Sequence, residues 1–301
     1  MMQLQKKRKV QASMSDKVFD FLNIALMLVI MIIILYPLYF VVMASFTEPR
    51  IVNTGKLILI PSEFYTGGYE STFRYDPLWT GYLNSILYTV VGTLISIAVT
   101  VTSAYALSRK DMFGQSTLMM LFSFTMFFSG GLIPNYILMK SLNIYDTFWV
   151  MVLPSSINVM NLVVCRTFFQ TTIPRELWEA ASIDGCDDFV FFFKIVLPVS
   201  STIIAVLALF YGSAKWNSYF DALIYLIDSK KMPLQIVLRN LLLIGQSTDM
   251  VGDAESMAER QRQAEQLKYC IIVVSAAPLL CLYPFLQKYF AKGVMIGSLK
   301  G

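Results

Sequence analysis

The stretch from Pro174 to Pro198 reads PRELWEAASIDGCDDFVFFFKIVLP and separates two long apolar runs. It carries seven charged side chains, so it lies in water rather than in the hydrocarbon core of a membrane. Pro174 suits a first helical turn, where its missing N–H would have no partner, and Gly185 can adopt the positive φ that ends a helix. The stretch therefore predicts a helix up to Gly185 and a second short helix from Asp187 to Ile195, both along the membrane surface.

The composition is typical of an integral membrane protein. Of the 301 residues, 56% are hydrophobic and 15% are charged, with a mean hydropathy of +0.60, whereas soluble domains carry about 25% charged residues. The chain has no histidine, which excludes His-based acid–base chemistry and imidazole metal sites. Its four cysteines lack metal-ligand spacing, and its net charge of +4 is too weak to indicate a nucleic-acid partner.

Six long apolar runs predict six transmembrane helices, which makes the expected fold class all-α. A helix that crosses the hydrocarbon core needs about 20 apolar residues, and the first run is longer than the about 7–15 residues of a signal peptide. The predicted spans cover about 21–43, 86–107, 117–138, 148–168, 196–214 and 269–290. The predicted regions are an N-terminal tail of 1–17, a six-helix transmembrane domain of 18–290 with the charged loop 174–198 between its fourth and fifth spans, and a C-terminal tail of 291–301.

The basic residues predict the orientation in the membrane. Five Lys and Arg precede the first span, and three lie in the loop after it. Basic residues near a span favour the cytoplasmic side. We therefore expect both termini and the charged loop to be cytoplasmic.

Two segments each have two interpretations. Gly130, Gly131 and Pro134 interrupt the third apolar run, and they either line a water-filled cavity, where irregular backbone is tolerated, or end the helix at the interface. Residues 254–265 are mostly good helix formers. They predict either a short extracellular helix or an extension of the last span.

The charged loop resembles the EAA loop of the membrane subunits of binding-protein-dependent ABC importers. Its matching elements are Glu179-Ala180-Ala181, then Gly185 after three residues, then Ile195 after nine more, followed by Leu197-Pro198. Cys186 stands where the family often has Ala. The resemblance implies a cytoplasmic coupling helix–turn–helix onto which an ATPase subunit docks. The coupling residues that it implies are Glu179, Ala180, Ala181, Asp184, Gly185, Ile195, Leu197 and Pro198.

Two further stretches resemble the carbohydrate-uptake branch of that family. The sequence AYALSR, ending at Arg109, is similar to the end of the second helix in that branch, and residues 285–301 are similar to its C-terminal tail. The chain resembles the smaller subunit of maltose-type permeases, in which this tail reaches toward the ATPase dimer. The tail contacts that the resemblance implies are Gly297, Lys300 and Gly301.

The resemblance implies a permease subunit of an ATP-driven importer in a bacterial plasma membrane. It would take up a carbohydrate of oligosaccharide size from an extracellular binding protein. The partners that it implies are a second homologous permease subunit and two ATPase subunits, which bind the ATP and Mg. The chain has no GxxxxGK[ST] phosphate loop, so we expect neither ATP hydrolysis nor a cofactor of its own.

An ion-coupled secondary transporter and an integral-membrane enzyme are the alternatives. Coupled transporters often bury Asp, Glu or His within their spans, and the six predicted spans contain none of these residues. An enzyme at membrane depth would need similar groups for its chemistry. The sequence therefore disfavours both alternatives.

Aromatic and amide side chains near the ends of the spans are candidates for the substrate path. Ligand sites combine apolar or aromatic walls with a few polar groups, which suits a sugar. Trp and Tyr also gather at membrane interfaces, so helix packing is the alternative role for each candidate. The candidates are Asn135, Tyr136, Asn158, Asn161, Tyr211, Trp216, Asn217 and Tyr219.

Overall fold

The structure, a computed structural model, describes residues 13–52, 60–61, 64–247, 267–278, 280–281 and 284. All regular secondary structure in these ranges is helical, which confirms the all-α fold class. The α-helices, in chain order, are α1 (Met14–Ser45), α2 (Pro49–Val52), α3 (Gly67–Phe73), α4 (Asp76–Ser108), α5 (Gln115–Phe127), α6 (Leu132–Ser141), α7 (Phe148–Val152), α8 (Val159–Thr172), α9 (Arg175–Ile183), α10 (Asp188–Phe191), α11 (Leu197–Val199), α12 (Ser201–Trp216), α13 (Phe220–Tyr225), α14 (Leu234–Ser247) and α15 (Leu267–Pro278).

The first two predicted spans are long unbroken helices. Helix α1 has 32 residues and α4 has 33, and each exceeds the about 20 residues needed to cross a membrane. Proline at the second position of α4 suits its first turn. The apolar side chains of α1 are exposed along most of its length, whereas α4 buries residues throughout. Helix α4 is therefore a central helix, against which α5, α7, α8, α12 and α14 pack.

The third predicted span is a bent pair of helices. Helices α5 and α6 meet at 116° across residues 128–131. Gly131 has a φ of +85°, a left-handed conformation that glycine adopts without strain. The third apolar run is thus interrupted at its glycines, between α5 and α6, and the span boundaries of 117–138 stay a prediction. That these glycines line a cavity stays a prediction.

The fourth and fifth predicted spans are also interrupted. Helices α7 and α8 are separated by residues 153–158, which include a proline, so 148–168 is not one helix. Helix α12 begins at Ser201, after a 76° bend from the segment Asp188–Val199, and it continues to Trp216. The predicted span of about 196–214 therefore overlaps α12, which begins five residues later and ends two residues later. Pro198, which lacks an N–H for helix bonding, lies just before the bend.

The sixth predicted span is described only in part, by α15 and a few residues after it. Among the described residues, two helices are long and apolar enough to cross a membrane alone, or up to four if each bent pair counts as one span. The six-span count stays a prediction. The segment 254–265 and the C-terminal tail lie outside the described residues.

Three apolar clusters form the core, and α4 contributes to all of them. The first surrounds the end of α4 at Leu107 and includes residues of α8, α9, α10 and α12. The second packs Tyr88 of α4 against α7 and α13. The third packs Leu78 of α4 against Trp216 and Ile271. We call the end of the bundle at Arg109 and the charged loop the loop end, and the opposite end, near Leu78 and Tyr88, the far end.

Candidate functional site

The first helix of the charged loop has well-defined ends. Helix α9 starts directly after Pro174 and stops before Gly185, whose φ is +78°. The N–H of Cys186 donates to the carbonyl of Ala181 at 2.9 Å, and the N–H of Gly185 donates to that of Ser182 at 3.1 Å. These two bonds form a Schellman motif, which satisfies carbonyls at a helix C-terminus. The angle between the two helices is thus fixed by local backbone bonds.

The second helix leads into the membrane bundle. The side chain of Asp187 accepts the N–H of Val190 at 2.7 Å and caps α10. A π-helical turn, Phe192–Val196, then joins α10 to α11, so the helix runs beyond the predicted end at Ile195. Ile195 and Leu197 are half-buried and Pro198 is exposed. The loop is therefore connected to α12 by helical segments, with one bend.

The two alanines of the loop face in different directions. Ala180 is exposed, as are Glu179, Asp184 and Gly185, whereas Ala181 is 8% exposed and belongs to the core at the loop end. Of the two alanines implied as coupling residues, Ala180 is open to a partner, whereas Ala181 is covered by the chain's own core. Its small side chain allows α9 to lie against the chain's own core.

Arg109 joins the end of α4 to both helices of the loop. Its guanidinium binds both carboxylate oxygens of Asp111, at 3.0 and 2.6 Å, and contacts the carboxylate of Asp188 at the start of α10. Its central carbon also lies 4.4 Å from the ring centroid of Trp178 in α9, a distance typical of a cation–π contact. Tyr105, one turn earlier on α4, packs against Phe192 with ring centroids 5.0 Å apart.

The contact between Arg109 and Asp111 keeps both groups charged. The bidentate bond from Arg109 lowers the pKa of the Asp111 carboxyl below its usual value, and the same bond raises the pKa of Arg109. The Arg109 side chain is 20% exposed, whereas Asp111 and Asp188 are more than half exposed. Sequence reasoning assigned Arg109 no role beyond the family resemblance. A single Arg at the end of a long apolar run, two residues before an Asp, is a signal that could have found it.

A cleft of about 550 Å³ lies beside this cluster. It is bounded by the end of α4, the end of α8 and the first turns of α9. Its walls combine aromatic and charged side chains. The residues that line it include Tyr105, Arg109, Phe169, Arg175, Trp178 and Phe191.

The substrate-path candidates do not form one site. Tyr211 is buried and bonds the Thr100 hydroxyl, and Trp216 is buried in the far-end core. The two helix-terminal amides are used locally. Asn158 caps α8 by accepting the N–H of Asn161 at 3.1 Å, and Asn217 bonds the carbonyl of Ser213 at 2.8 Å. Asn158 is therefore the N-cap residue just before α8 and does not share a helix face with Asn161.

The remaining candidates lie toward the far end. Asn135 is exposed on α6, and Tyr219 is 47% exposed beside Phe220. Tyr136 packs against two other tyrosines in the second core cluster. Among the contacts within the described ranges, Tyr136 is the one candidate of the eight that meets both further aromatic rings and a cation.

Long apolar helices packed around α4, with a charged helix–turn–helix at one end, are the architecture of an integral membrane protein. No protein-family model matches the chain. The chain is 43% identical over 289 residues to the polygalacturonan/rhamnogalacturonan transport system permease protein YtcP of Bacillus subtilis, covering 96% of this chain and 100% of that protein. It is 40% identical over 287 residues to protein LplC of the same organism, covering 95% of this chain and 96% of that protein.

A solved structure has the same fold. A chain of a bacterial ABC transporter involved in the import of the acidic polysaccharide alginate superposes with a TM-score of 0.84 at 29% identity. The match covers 94% of this chain and 100% of that chain. The protein belongs to the family of permease subunits of carbohydrate ABC importers. As such it is a membrane protein that works with ATPase and binding-protein partners, and no finding supports the ion-coupled alternative.

Proposed function

We propose that this chain forms one half of the translocation pathway of an ATP-driven importer in a bacterial plasma membrane. A second homologous permease forms the other half, two ATPase subunits bind the ATP and Mg, and an extracellular protein delivers the solute. Both termini and the charged loop are cytoplasmic. The long exposed apolar surface of α1 supports a membrane or subunit neighbour on that side. The chain needs no cofactor of its own in this scheme.

The proposed solute is an oligosaccharide that carries carboxylates. One relative is named for polygalacturonan and rhamnogalacturonan, and the solved importer is described as importing acidic alginate. Both names refer to polysaccharides that contain uronic acids. A cationic aromatic cluster on this chain supports the same class of solute.

That cluster consists of Tyr136, Tyr145, Tyr225 and Lys140. The ring centroids of Tyr136 lie 5.3 Å from Tyr145 and 6.3 Å from Tyr225. The Lys140 Nζ lies 4.9 and 5.2 Å from the centroids of Tyr136 and Tyr145. Within the described part of the chain, no carboxylate lies within ion-pair distance of Lys140. A sugar ring could stack on the tyrosines while its carboxylate pairs with the ammonium.

A hydrogen-bonded turn beside the cluster fixes its position. The Asp146 carboxylate accepts the N–H groups of Ile227 and Asp228 at 3.0 and 3.2 Å and pairs with Lys231 Nζ at 3.1 Å. The N–H of Asp146 in turn donates to the carbonyl of Tyr225 at 3.0 Å. Side chains that recognise a ligand need such support from surrounding hydrogen bonds.

The charged loop is proposed as the ATPase docking site. Glu179, Ala180, Asp184 and Gly185 form its exposed face, and Ala181 supports that face from below. Leu197 and Pro198 carry the motion of the loop into α12. The tail residues Gly297, Lys300 and Gly301 lie outside the described residues, and their contact with the ATPase subunits is also proposed.

The observation that carries this proposal is the end-to-end match to a permease named for an acidic polysaccharide. The test is uptake by the complete importer in vesicles, using galacturonate oligomers and neutral maltodextrins of equal length. We expect ATP-dependent uptake of the galacturonate oligomers. Uptake that follows an ion gradient without ATP would refute the importer class, and preference for the neutral sugar would refute the acidic solute.

A matched pair of variants tests the aromatic cluster. Lys140→Gln should weaken uptake of the acidic sugar about 5- to 20-fold, because a charge-assisted bond is lost. Lys230→Gln, which removes another exposed lysine of the far end, should change little. Equal effects of the two variants would leave the cluster without a role in solute recognition.

A further inference from the structure

A buried lysine on α12 is hydrogen-bonded to one end of the break in the fourth predicted span, residues 153–158. Lys215 lies in the last turn of α12 and is 8% exposed. Its Nζ donates hydrogen bonds to the carbonyl oxygens of Met151 and Val152, at 3.2 and 3.0 Å, and to the Oγ of Ser155 at 2.8 Å. An ammonium group has three N–H donors. All three of them are therefore directed at the end of α7 and the start of the break.

A tyrosine one turn earlier on α12 is hydrogen-bonded to the other end of the break. Residues four apart lie on the same helix face, so Tyr211 and Lys215 both face the break. The Tyr211 hydroxyl accepts the N–H of Asn158 at 3.1 Å and also bonds the Thr100 hydroxyl of α4 at 2.7 Å. Asn158 is the N-cap of α8. Helix α12 is thus attached to the last carbonyls of α7 and to the backbone N–H of the N-cap residue of α8.

The end of α7 and the first residues of the break provide the groups that solvate the buried charge. A buried ammonium is costly unless the protein satisfies it with hydrogen bonds. Among the described residues, no carboxylate lies within ion-pair distance of Lys215. In an unbroken helix the carbonyls of Met151 and Val152 would accept N–H groups four residues later. The burial of Lys215 therefore depends on the break.

Helix α4 leaves room for the stem of the lysine. A Cβ added at Gly92 would lie 3.1 Å from Lys215 Cε and 3.2 Å from Cδ, which is closer than ordinary van der Waals contact. A side chain at position 92 would push the lysine away from the break. The glycine on α4, the lysine on α12 and the break after α7 therefore fit together as one arrangement.

We propose that Lys215 and Tyr211 are positioning residues that make the break move with α12. Helix α12 is joined to the charged loop through α11 and the π-helical turn. Several residues of the break, including Leu153, Ser155 and Ile157, are exposed. Movement of the loop is therefore transmitted to a non-helical surface in the fourth predicted span. The inference rests on the proposed coupling role of the loop.

The test uses the assembled importer with an environment-sensitive label on a cysteine-free background. One label is attached through Phe189→Cys in the loop and another through Ile157→Cys in the break, since both positions are exposed. Spectra are compared between the nucleotide-free and ATP-trapped states. In the parent complex we expect both labels to respond to ATP trapping.

The decisive variant is Lys215→Met, which keeps the aliphatic length but removes the charge and its donors. The Phe189→Cys label should keep its response while the Ile157→Cys label loses it. Uptake should fall about tenfold with basal ATPase activity within about twofold, as expected for a loss of coupling between sites. Lys215→Arg, which keeps the charge and several donors, should recover most of the response. Lys230→Met is the control for removal of a lysine and should leave both responses unchanged.

The outcomes separate this inference from the proposed function. A parent-like response of the Ile157→Cys label in Lys215→Met, with normal uptake, would overturn the inference. If Lys215→Met fails to assemble, Tyr211→Phe is judged by the same criteria, because it removes only the hydroxyl. If the Phe189→Cys label does not respond in the parent complex, the coupling proposal fails, and this inference fails with it.

Discussion

Replacing Arg109 by Gln should loosen the charged loop from the end of α4. The loop is tied to Arg109 by the Asp188 carboxylate, which is 62% exposed, and by the Trp178 ring at 4.4 Å. An exposed ion pair contributes about 0.2–1 kcal/mol, and a cation–π contact at an exposed site contributes about 0.5–1 kcal/mol. The attachment is then about 1–2 kcal/mol weaker in Arg109→Gln. That corresponds to a roughly 5- to 30-fold increase in the detached population.

Hydrogen exchange of the amides in residues 175–191 measures this detachment in the assembled importer. Arg109→Gln should exchange faster in that segment and should lower sugar uptake without loss of assembly. Arg109→Lys should be intermediate, because a lysine keeps the charge but cannot stack or bind bidentately in the same way. Lys110→Gln is the matched control, since Lys110 is the exposed cation next along the chain.

The result that would refute this reasoning is equal exchange in Arg109→Gln and Lys110→Gln. Equal sugar uptake by the two variants would further indicate that the position of the loop does not depend on Arg109. In that case the Schellman motif and the apolar contacts around Ala181 would suffice to hold the loop.

Four further predictions concern the loop, the tail and the turn at the far end. Gly185→Val should destabilise the loop by at least about 1–2 kcal/mol, because the φ of +78° strains a residue with a Cβ, and thermal unfolding would detect it. Ala181→Leu should lower thermal stability by about 1–3 kcal/mol through overpacking, whereas Ala180→Leu should leave stability unchanged and weaken ATPase co-purification. Deleting residues 297–301 should lower binding-protein-stimulated ATPase activity but not membrane insertion, and full activity would leave the tail without a coupling role. The pKa of Asp146 is lowered mainly by the backbone N–H of Ile227 and further by Lys231. The stability that ionised Asp146 contributes is therefore present above the ordinary carboxyl pKa of about 4 and is lost as pH falls through the lower pKa of the folded state. The difference in melting temperature between wild type and Asp146→Asn should be flat from about pH 5 to 8 and shrink below about pH 4.

The ends of α9 could be read from the sequence because they are set by local chemistry. Pro174 and Gly185 impose backbone conformations that depend little on the rest of the fold. The apolar runs likewise determine that the chain is helical and lies in a membrane, since a lipid environment leaves a helix few alternatives. The unbroken helices α1 and α4 correspond to the first and second predicted spans.

The tertiary structure decided which side of each helix is covered and where the helices break. Ala180 and Ala181 are chemically identical, and only packing against the core makes one exposed and the other buried. Lys215 lies just beyond the fifth predicted span of 196–214, yet it is buried because the distant carbonyls of a broken helix solvate it. Arg109 meets the loop helices about 70–80 residues away in the chain. Such partners are set by the spatial arrangement of α4, α8 and α12, which no local pattern in the sequence specifies.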